Sequence, residues 1–408
     1  MIKTFGLLGE KLGHSFSPLI HGFLGDYRYP LFEISPRELD SFMLKRQFDG
    51  INVTIPYKKA VMPYCLTLSD EARSIGSVNT IVKDENGSLH GHNTDGHGFC
   101  VMLERSKINP YGKKVLTLGN GASARMVKAA LNKLGARDNV IISRSGENHY
   151  GNIARHYNAE LLVNTSPVGM YPDNGSSPVC LSGFRQLTGV VDLIYNPLRT
   201  KLLLEAERVG IPCVNGLAML VAQAEMANRL FLGGAARPEL IDQIIGAILA
   251  KTQNIALIGM PGCGKSTVGR YLAEAMGRPF SDIDELIETV AGKRIRTIFA
   301  EDGEQVFRSL ETRIIGEETK RTGLVIATGG GVVTRPENLD LLRQNSLIVY
   351  LKRELSELIT DGRPLSQGMG VEALAKQRLA LYEMWSDRVI RVETNPERSV
   401  ARIMEAIA

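Results

Sequence analysis

Ile255-Ala256-Leu257-Ile258-Gly259-Met260-Pro261-Gly262-Cys263-Gly264-Lys265-Ser266-Thr267 passes from a short apolar run into a glycine-rich loop, after which apolar residues recur at helical spacing. Gly259 to Ser266 satisfies G-x-x-x-x-G-K-S in the strand–loop–helix setting that a phosphate-binding loop requires. In such a loop the backbone N–H groups around Gly262, Gly264 and Thr267 cradle phosphates. Lys265 reaches the transferred phosphoryl group, and the Ser266 hydroxyl ligates Mg²⁺. This part of the chain therefore reads as a parallel sheet flanked by helices that uses ATP.

A second loop lies upstream. Leu118-Gly119-Asn120-Gly121-Ala122-Ser123-Ala124 follows the run Lys114–Leu118 and fits G-x-G-x-x-A through Gly119, Gly121 and Ala124. The first glycine permits a tight turn, the second lets the backbone approach a pyrophosphate, and the small third residue lets helix and strand pack closely. Asn120 and Ala122 would then border an anion seated on the positive end of the following helix. A tight β–α turn without ligand is the competing reading. The next strand, Asn139–Ile142, ends in Ser143-Arg144-Ser145 where an NAD site carries an acid. A guanidinium flanked by hydroxyls suits a 2′-phosphate and so favours NADPH/NADP⁺. Otherwise Arg144 is a solvated loop residue.

A chain of 408 residues is too long for one ordinary core. Gly233-Gly234-Ala235-Ala236-Arg237-Pro238 breaks one helix, a second spans about 239–250, and the polar stretch Lys251–Asn254 marks the main boundary. Residues before it alternate short strands and helices, with strands expected at Thr4–Leu8, Gly50–Thr54 and Asn79–Val82. Both parts read as α/β layers with mostly parallel sheets. Hydrophobic content of 44% and charged content of 23% fit a soluble globular protein. The formal charge of +4 and the lack of a basic block argue against nucleic acid. No apolar run approaches the roughly 18 residues of a membrane span, and Met1 to Phe5 do not open a signal peptide. Five scattered cysteines, without C-x-x-C spacing, fit free thiols in a cytoplasmic protein. All seven histidines precede residue 157, so the C-terminal part does its acid–base work without histidine.

Several polar patches carry chemistry. In His14-Ser15-Phe16-Ser17-Pro18, two hydroxyls two apart share a side if the segment is extended, and Pro18 suits a helix start with Ser17 as its N-cap. Beside a helix N-terminus they would hold a small carboxylate, or serve as caps alone. Lys58 follows the buried-looking strand Gly50–Thr54. Asn79 and Asp95 stand in the Gly-rich turns Gly76–Thr80 and Gly91–Gly96. A Lys–Asp pair can supply and take a proton at a carbonyl being reduced. His90-Gly91-His92 reads as strand alternation, not a metal site. In the C-terminal part, Ser281-Asp282-Ile283-Asp284 places two carboxylates on one side, one for Mg²⁺ and one for a substrate hydroxyl, or forms a solvated acidic turn. Phe307-Arg308 and Glu311 share helical spacing. Thr328-Gly329-Gly330-Gly331 follows a strand at Leu324–Ala327 and allows close approach of backbone to a ligand. Arg363-Pro364-Leu365 lies in a polar stretch, and Arg378 to Tyr382 starts another helical segment.

Ser15-x-Ser17-Pro18, Asn52-Val53-Thr54-Ile55-Pro56-x-Lys58, Val78-Asn79-Thr80, Asn93-Thr94-Asp95-Gly96, Asn164-Thr165-Ser166-Pro167-Val168-Gly169-Met170 and Asn215–Gln223 closely resemble shikimate dehydrogenase over about residues 1–250. The resemblance implies NADPH-dependent reduction of 3-dehydroshikimate, with Lys58 and Asp95 as the catalytic pair. Ser15 and Ser17 would hold the substrate carboxylate, and Thr54, Asn79 and Gln223 the ring hydroxyls. Asn164–Met170, Tyr195 and Gly216 would line the nicotinamide side, with Tyr195 also meeting substrate. It implies a substrate lobe at 1–103, completed by about 217–250, and a Rossmann lobe at 104–216. Two features depart from the family: Gly121-Ala122-Ser123 replaces Gly-Gly-Ala, and the stretch from Arg144 to Asn164 is shorter than usual.

Residues 254–408 resemble shikimate kinase in the order D-x-D, Phe-Arg, Gly-Gly-Gly, Arg-Pro-Leu. Carried over, Asp284 contacts the attacking 3-hydroxyl and acts as base, while Asp282 and Ser266 serve Mg²⁺. Arg308 and Arg378 clamp the carboxylate, Gly330 and Gly331 meet the ring, and Arg363 closes over ATP. The lid before Arg363 is short, and Trp385 stands where the family often has a small residue. The implied whole is a bifunctional enzyme making shikimate and then its 3-phosphate. Its partners would be small molecules, with homo-oligomer formation left open. Quinate or another polyol acid as the first substrate, or a non-catalytic first half that senses substrate or scaffolds the kinase, are the alternatives.

Overall fold

The computed structural model describes residues 2–13, 15–358 and 370–407, so His14 and the Arg363-Pro364-Leu365 element lie outside the described residues. The chain divides into two compact α/β units, Met1–Ile248 and Leu249–Ala408.

Two sheets build the first unit. One is mixed, in the order β2(Leu31–Glu33), β1(Phe5–Gly9), β3(Gly50–Val53), β5(Thr80–Lys83), β6(Leu89–His92), β4(Thr67–Leu68). β1 and β3 are buried at every residue, as expected of parallel strands covered on both faces. One face packs Leu8, Ile51, Val53 and Ile81 into an apolar cluster; the other sets Phe5 against Phe231 of the helix Leu217–Leu232. β5 runs antiparallel to both β3 and β6. That reversal brings the start of β5 and the ends of β1, β3 and β6 to one edge.

The second sheet is all parallel, in the order β11(Cys213–Val214), β10(Gly189–Asp192), β9(Leu161–Asn164), β7(Lys114–Leu118), β8(Asp138–Ile142). This is a doubly wound dinucleotide fold of order 3-2-1-4-5-6 without its third strand. The shortened stretch after Arg144 accounts for the loss. Between β8 and β9 the chain forms a single parallel bridge, Ser143 with His149, and a 3₁₀ run, Tyr150–His156, so β8 is the last full strand of the sheet.

The second unit has one parallel sheet, β13(Phe280–Asp282), β14(Val325–Ala327), β12(Asn254–Ile258), β15(Ser346–Lys352), β16(Arg388–Arg391). Its core includes all four apolar residues Ile255–Ile258 together with Trp385, which is thus a core residue. The helix containing Arg378 starts earlier than the sequence suggests, at Val371, because Leu374 and Ala375 extend its buried face. The helix expected at about 239–250 spans Pro238–Thr252, and Gly233 caps the one before it with φ 75°. Among the described residues no helix is long and apolar enough to cross a membrane.

Beneath the first sheet's edge lies a buried polar cluster. His21 stacks on Tyr29 at 3.9 Å, and its Nδ1 lies 2.7 Å from the Tyr27 hydroxyl. Tyr27 also accepts from Asn228 Nδ2 at 2.9 Å, so its own proton points to His21, whose Nδ1 must be an acceptor. Burial holds the imidazole neutral, lowering its pKa to about 3 against a weaker raising hydrogen bond that the ring donates to Asn52. The unfolded imidazole takes its proton near 6.5 while the folded one resists it down to about 3. Stability is therefore lost as the pH falls below about 6.5, at up to about 1.4 kcal/mol per pH unit from this group. His21→Gln should flatten the dependence of the melting temperature on pH between 7 and 4.5. Thermal melts of the two proteins with equal slopes would contradict this.

Candidate active sites

A cavity of about 480 Å³ opens at the shared edge of the first sheet. Ser15, Ser17, Thr54, Lys58, Asn79, Asp95, Tyr195, Gly216 and Gln223 all line it, as does Asn52. Four separated stretches, Ser15–Ser17, Asn52–Lys58, Asn79 and Asp95, meet because β1, β3 and β6 end, and β5 begins, on the same side, while Tyr195, Gly216 and Gln223 come from the segments that follow β10 and β11. Lys58 Nζ donates to Asp95 Oδ2 at 2.6 Å, with both side chains mostly screened from solvent. Asn79 Nδ2 donates to Asp95 Oδ1 at 2.9 Å, so each carboxylate oxygen has its own donor. Thr94 Oγ1 lies 3.3 Å from Gln223 Oε1, tying the turn before Asp95 to the helix Leu217–Leu232. Burial raises the Tyr195 phenol above its ordinary value, so it stays a neutral hydroxyl.

The Ser-x-Ser segment reaches the cavity by a different route from the extended one expected. Phe16 has helical φ/ψ, and Ser17 is the first residue of the helix Ser17–Leu24, not its cap. The capping acceptor is Ser15 Oγ, 3.1 Å from the Ser17 N–H. Pro18 removes the next N–H, which makes that of Ser17 an early donor in need of a partner.

The upstream glycine loop leaves β7 at the point where strand order reverses. Gly119 has φ +108°, and a Cβ there would sit 2.8 Å from Thr165 Oγ1 on the neighbouring loop. Only glycine satisfies both demands. The helix Ala122–Lys133 begins without a side-chain cap, leaving its first N–H groups for an anion. Ser143 and Ser145 are tied together by a hydrogen bond from the Ser143 hydroxyl to the Ser145 carbonyl, with Arg144 exposed between them. These residues fit a dinucleotide phosphate at the loop and a second one beside Arg144. Sequence reasoning missed Asp192, whose signal is a lone acid ending the apolar run Gly189–Asp192. It accepts from Thr200 Oγ1 at 2.7 Å, Asn164 Nδ2 at 3.0 Å and the Ile194 N–H at 3.1 Å. Burial raises its carboxyl to about 6 against these bonds. Asn164 Oδ1 in turn accepts from the Ser166 N–H at 3.0 Å, so Asp192 braces the Asn164–Met170 loop.

In the second unit, Gly264 with φ +102° leads into the helix Lys265–Met276, again without a side-chain cap. Lys265 is buried, its Nζ donating to the carbonyls of Gly259 at 2.9 Å and Met260 at 3.0 Å, whereas Ser266 and Thr267 are exposed. Asp282 Oδ1 caps the helix Ile283–Ala291, accepting from the Asp284 N–H at 3.0 Å. Among the described residues no group of three or more His, Cys, Asp or Glu could hold a metal. Mg²⁺ needs no such cage, since one or two protein oxygens suffice alongside phosphates and water. Ser266 and Asp282 fit that sparse role.

Arg308 is buried between two acids. Its Nη1 donates to Glu311 Oε2 at 2.7 Å, and its Nε and Nη2 to Glu304 Oε1 at 3.2 Å. A Cβ on Gly331 would fall 2.2 Å from the guanidinium, and one on Gly329 would fall 2.6 Å from Glu311 Oε1 and 2.9 Å from Asp284 Oδ1. Gly329 and Gly331 thus let the backbone close over Asp284, Arg308 and Glu311, and Gly330 lets it close against Pro261 of the phosphate loop. The Gly330 carbonyl accepts from Arg378 Nη1 at 3.3 Å and from the Tyr382 hydroxyl. Arg363 lies outside the described residues. Glu311 is the member without an expected role. Burial raises its carboxyl pKa, and the neighbouring Arg308 opposes this. Glu311→Ala leaves Arg308 short of its buried counter-charge and should lower the stability of this unit by about 3 kcal/mol. Urea melts checked against the unaltered chain would refute this if the midpoint did not move.

Residues 261–408 match the family model described as shikimate kinase, and residues 7–81 that described as the shikimate dehydrogenase substrate binding domain. A shikimate dehydrogenase (NADP(+)) of Clostridium perfringens is 38% identical over 255 residues, covering 57% of this chain and 93% of that protein. A solved chorismate mutase/shikimate 5-dehydrogenase fusion protein from Clostridium acetobutylicum is 33% identical with a TM-score of 0.57, covering 61% of this chain and 97% of the other. A shikimate 5-dehydrogenase from Thermus thermophilus, solved in complex with NADP(H) and shikimate, is 31% identical with a TM-score of 0.55, covering 60% and 98% respectively.

Proposed function

The chain belongs to the shikimate dehydrogenase family and joins to it a shikimate-kinase-like domain, and we propose that it reduces 3-dehydroshikimate to shikimate with NADPH and phosphorylates shikimate at its 3-hydroxyl with ATP. The observation that carries this reading is the Lys58–Asp95 pair, 2.6 Å apart on the wall of the 480 Å³ cavity. A lysine held by a carboxylate beside hydroxyl and amide donors is the equipment for reducing a carbonyl on a polar ring. That the product of this step is the acceptor for the second unit's chemistry supports both assignments.

In the first reaction the Ser15 and Ser17 hydroxyls receive the substrate carboxylate, and Thr54, Asn79 and Gln223 bond the ring hydroxyls. The Gly119–Ala122 loop and Ser143-Arg144-Ser145 would hold NADPH, which when bound would supply the hydride. Lys58 donates to the carbonyl oxygen and gives up its proton as negative charge develops there; in the oxidative direction it takes that proton back. Asp95 keeps the ammonium pointed at the reacting oxygen and orients the new hydroxyl. Tyr195 and Gly216 close the nicotinamide side.

In the second reaction Arg308 and Arg378 hold the carboxylate, and Gly330 and Gly331 allow the ring to lie against backbone. Asp284 accepts the proton of the attacking hydroxyl. Lys265 and the loop N–H groups offset charge on the transferred phosphoryl group, and Ser266 with Asp282 would hold Mg²⁺. Phosphoryl transfer depends on positioning and charge, so a unit without histidine is adequate.

A coupled assay with 3-dehydroshikimate, NADPH and MgATP, followed for NADPH loss and ADP formation, tests both halves. Lys58→Ala should cut NADPH-linked turnover by at least about a hundredfold while leaving ADP formation from added shikimate unchanged, and Asp284→Asn should do the reverse. Dehydrogenase activity surviving Lys58→Ala would refute the catalytic pair. Faster oxidation of quinate than of shikimate would reassign the first substrate, and shikimate binding without turnover would make the first unit a sensor. Arg144→Ala should reduce kcat/KM with NADPH about tenfold or more with little change for NADH. Equal losses with both cofactors would overturn the 2′-phosphate role.

A further inference from the structure

Asn79 and Asn52 both face the cavity, and a side chain that lines none of it joins them. Thr80 opens β5 opposite Asn52 of β3 in the antiparallel register and is fully buried. Its Oγ1 lies 3.1 Å from Asn52 Nδ2 and 3.0 Å from Asn79 Oδ1. An amide nitrogen can only donate, so Thr80 accepts from Asn52 and its single proton goes to Asn79. The Tyr29 hydroxyl donates to Asn52 Oδ1 at 2.7 Å, which fixes which end of that amide faces Thr80. Asn79 Oδ1 also accepts the Thr94 N–H at 2.8 Å, so its nitrogen is turned to Asp95 Oδ1 at 2.9 Å. The direction of every bond follows from its chemistry: Tyr29 to Asn52, Asn52 to Thr80, Thr80 to Asn79, Asn79 to Asp95, with Lys58 closing on the other carboxylate oxygen.

From this chain of donors we infer that Thr80 is a positioning residue for the carbonyl reduction, holding Asn79 and Asn52 in the orientations that aim Asp95 and Lys58. The inference rests on the dehydrogenase reading of this cavity. Without the hydroxyl, Asn52 Nδ2 keeps only the distant Asn79 carbonyl at 3.5 Å, and Asn79 Oδ1 loses one of its donors. Both amides gain freedom to turn, although the substitution itself touches no other side chain of the cavity wall.

Thr80→Val keeps the side-chain shape and removes the hydroxyl; Thr80→Ser keeps the hydroxyl and removes a methyl. In the full chain, Thr80→Val should lower kcat for NADP⁺-linked shikimate oxidation by about tenfold, the scale of one lost buried hydrogen bond, with KM for NADP⁺ unchanged. Thr80→Ser should retain turnover within about threefold of the parent, despite the greater loss of packing. A purely structural role predicts that Thr80→Val lowers the melting temperature yet keeps the parent kcat when assayed well below that temperature. Full activity of Thr80→Val, or Thr80→Ser as slow as Thr80→Val, would overturn the inference. An unaltered chain that fails to oxidise shikimate at all would instead overturn the reading on which it rests.

Discussion

A parallel strand buried on both faces can offer chemistry only where it ends, and that constraint organises every site in this protein. β1, β3, β7 and β12 are apolar almost throughout and are covered on both sides. Polar residues therefore collect in the loops leaving their carboxyl ends. The phosphate loops follow β7 and β12, Thr54 and Lys58 follow β3, and the Ser15–Ser17 turn follows β1. The antiparallel β5 is the one addition that brings a strand's beginning, with Asn79, to the same edge.

At these edges the protein withdraws charged and polar groups from water and gives each a fixed partner. Asp95 has one donor per oxygen, and Arg308 is divided between Glu304 and Glu311. Burying such groups without partners would cost several kcal/mol each. With partners, the same low-dielectric surroundings strengthen each bond and hold side chains in a single geometry. Asp192 and His21 show the other outcome of burial. Their ionised forms are disfavoured, and both serve as hydrogen-bonded braces under the sites.

The two phosphate loops solve one problem with different parts. Both begin helices without side-chain caps, so backbone N–H groups face the anion. The first adds an exposed arginine on the next loop; the second adds a buried lysine from its own helix. The missing third strand beside β8 leaves Ser143–Ser145 and the Tyr150–His156 turn to form the outer wall of the dinucleotide lobe.

Much of this was legible in the residue order. Strand–loop–helix runs around Gly119 and Gly264, the short stretch after Arg144 and the paired Lys58 and Asp95 motifs are local patterns, and local patterns follow from backbone sterics and periodic burial. Less legible was anything that depends on which strands are neighbours. Nothing in the spacing shows that Asn52 stands across from Thr80, that Ser15 rather than Ser17 caps a helix, that Glu311 backs Arg308 beneath Gly329, or that Trp385 fills the core. The chain by itself determined the α/β layers, the two nucleotide loops and the side chains able to do the chemistry. Strand pairing and burial alone decided which of those groups meet and which way each hydrogen bond points, because contacts between residues far apart in sequence exist only once the sheets are assembled.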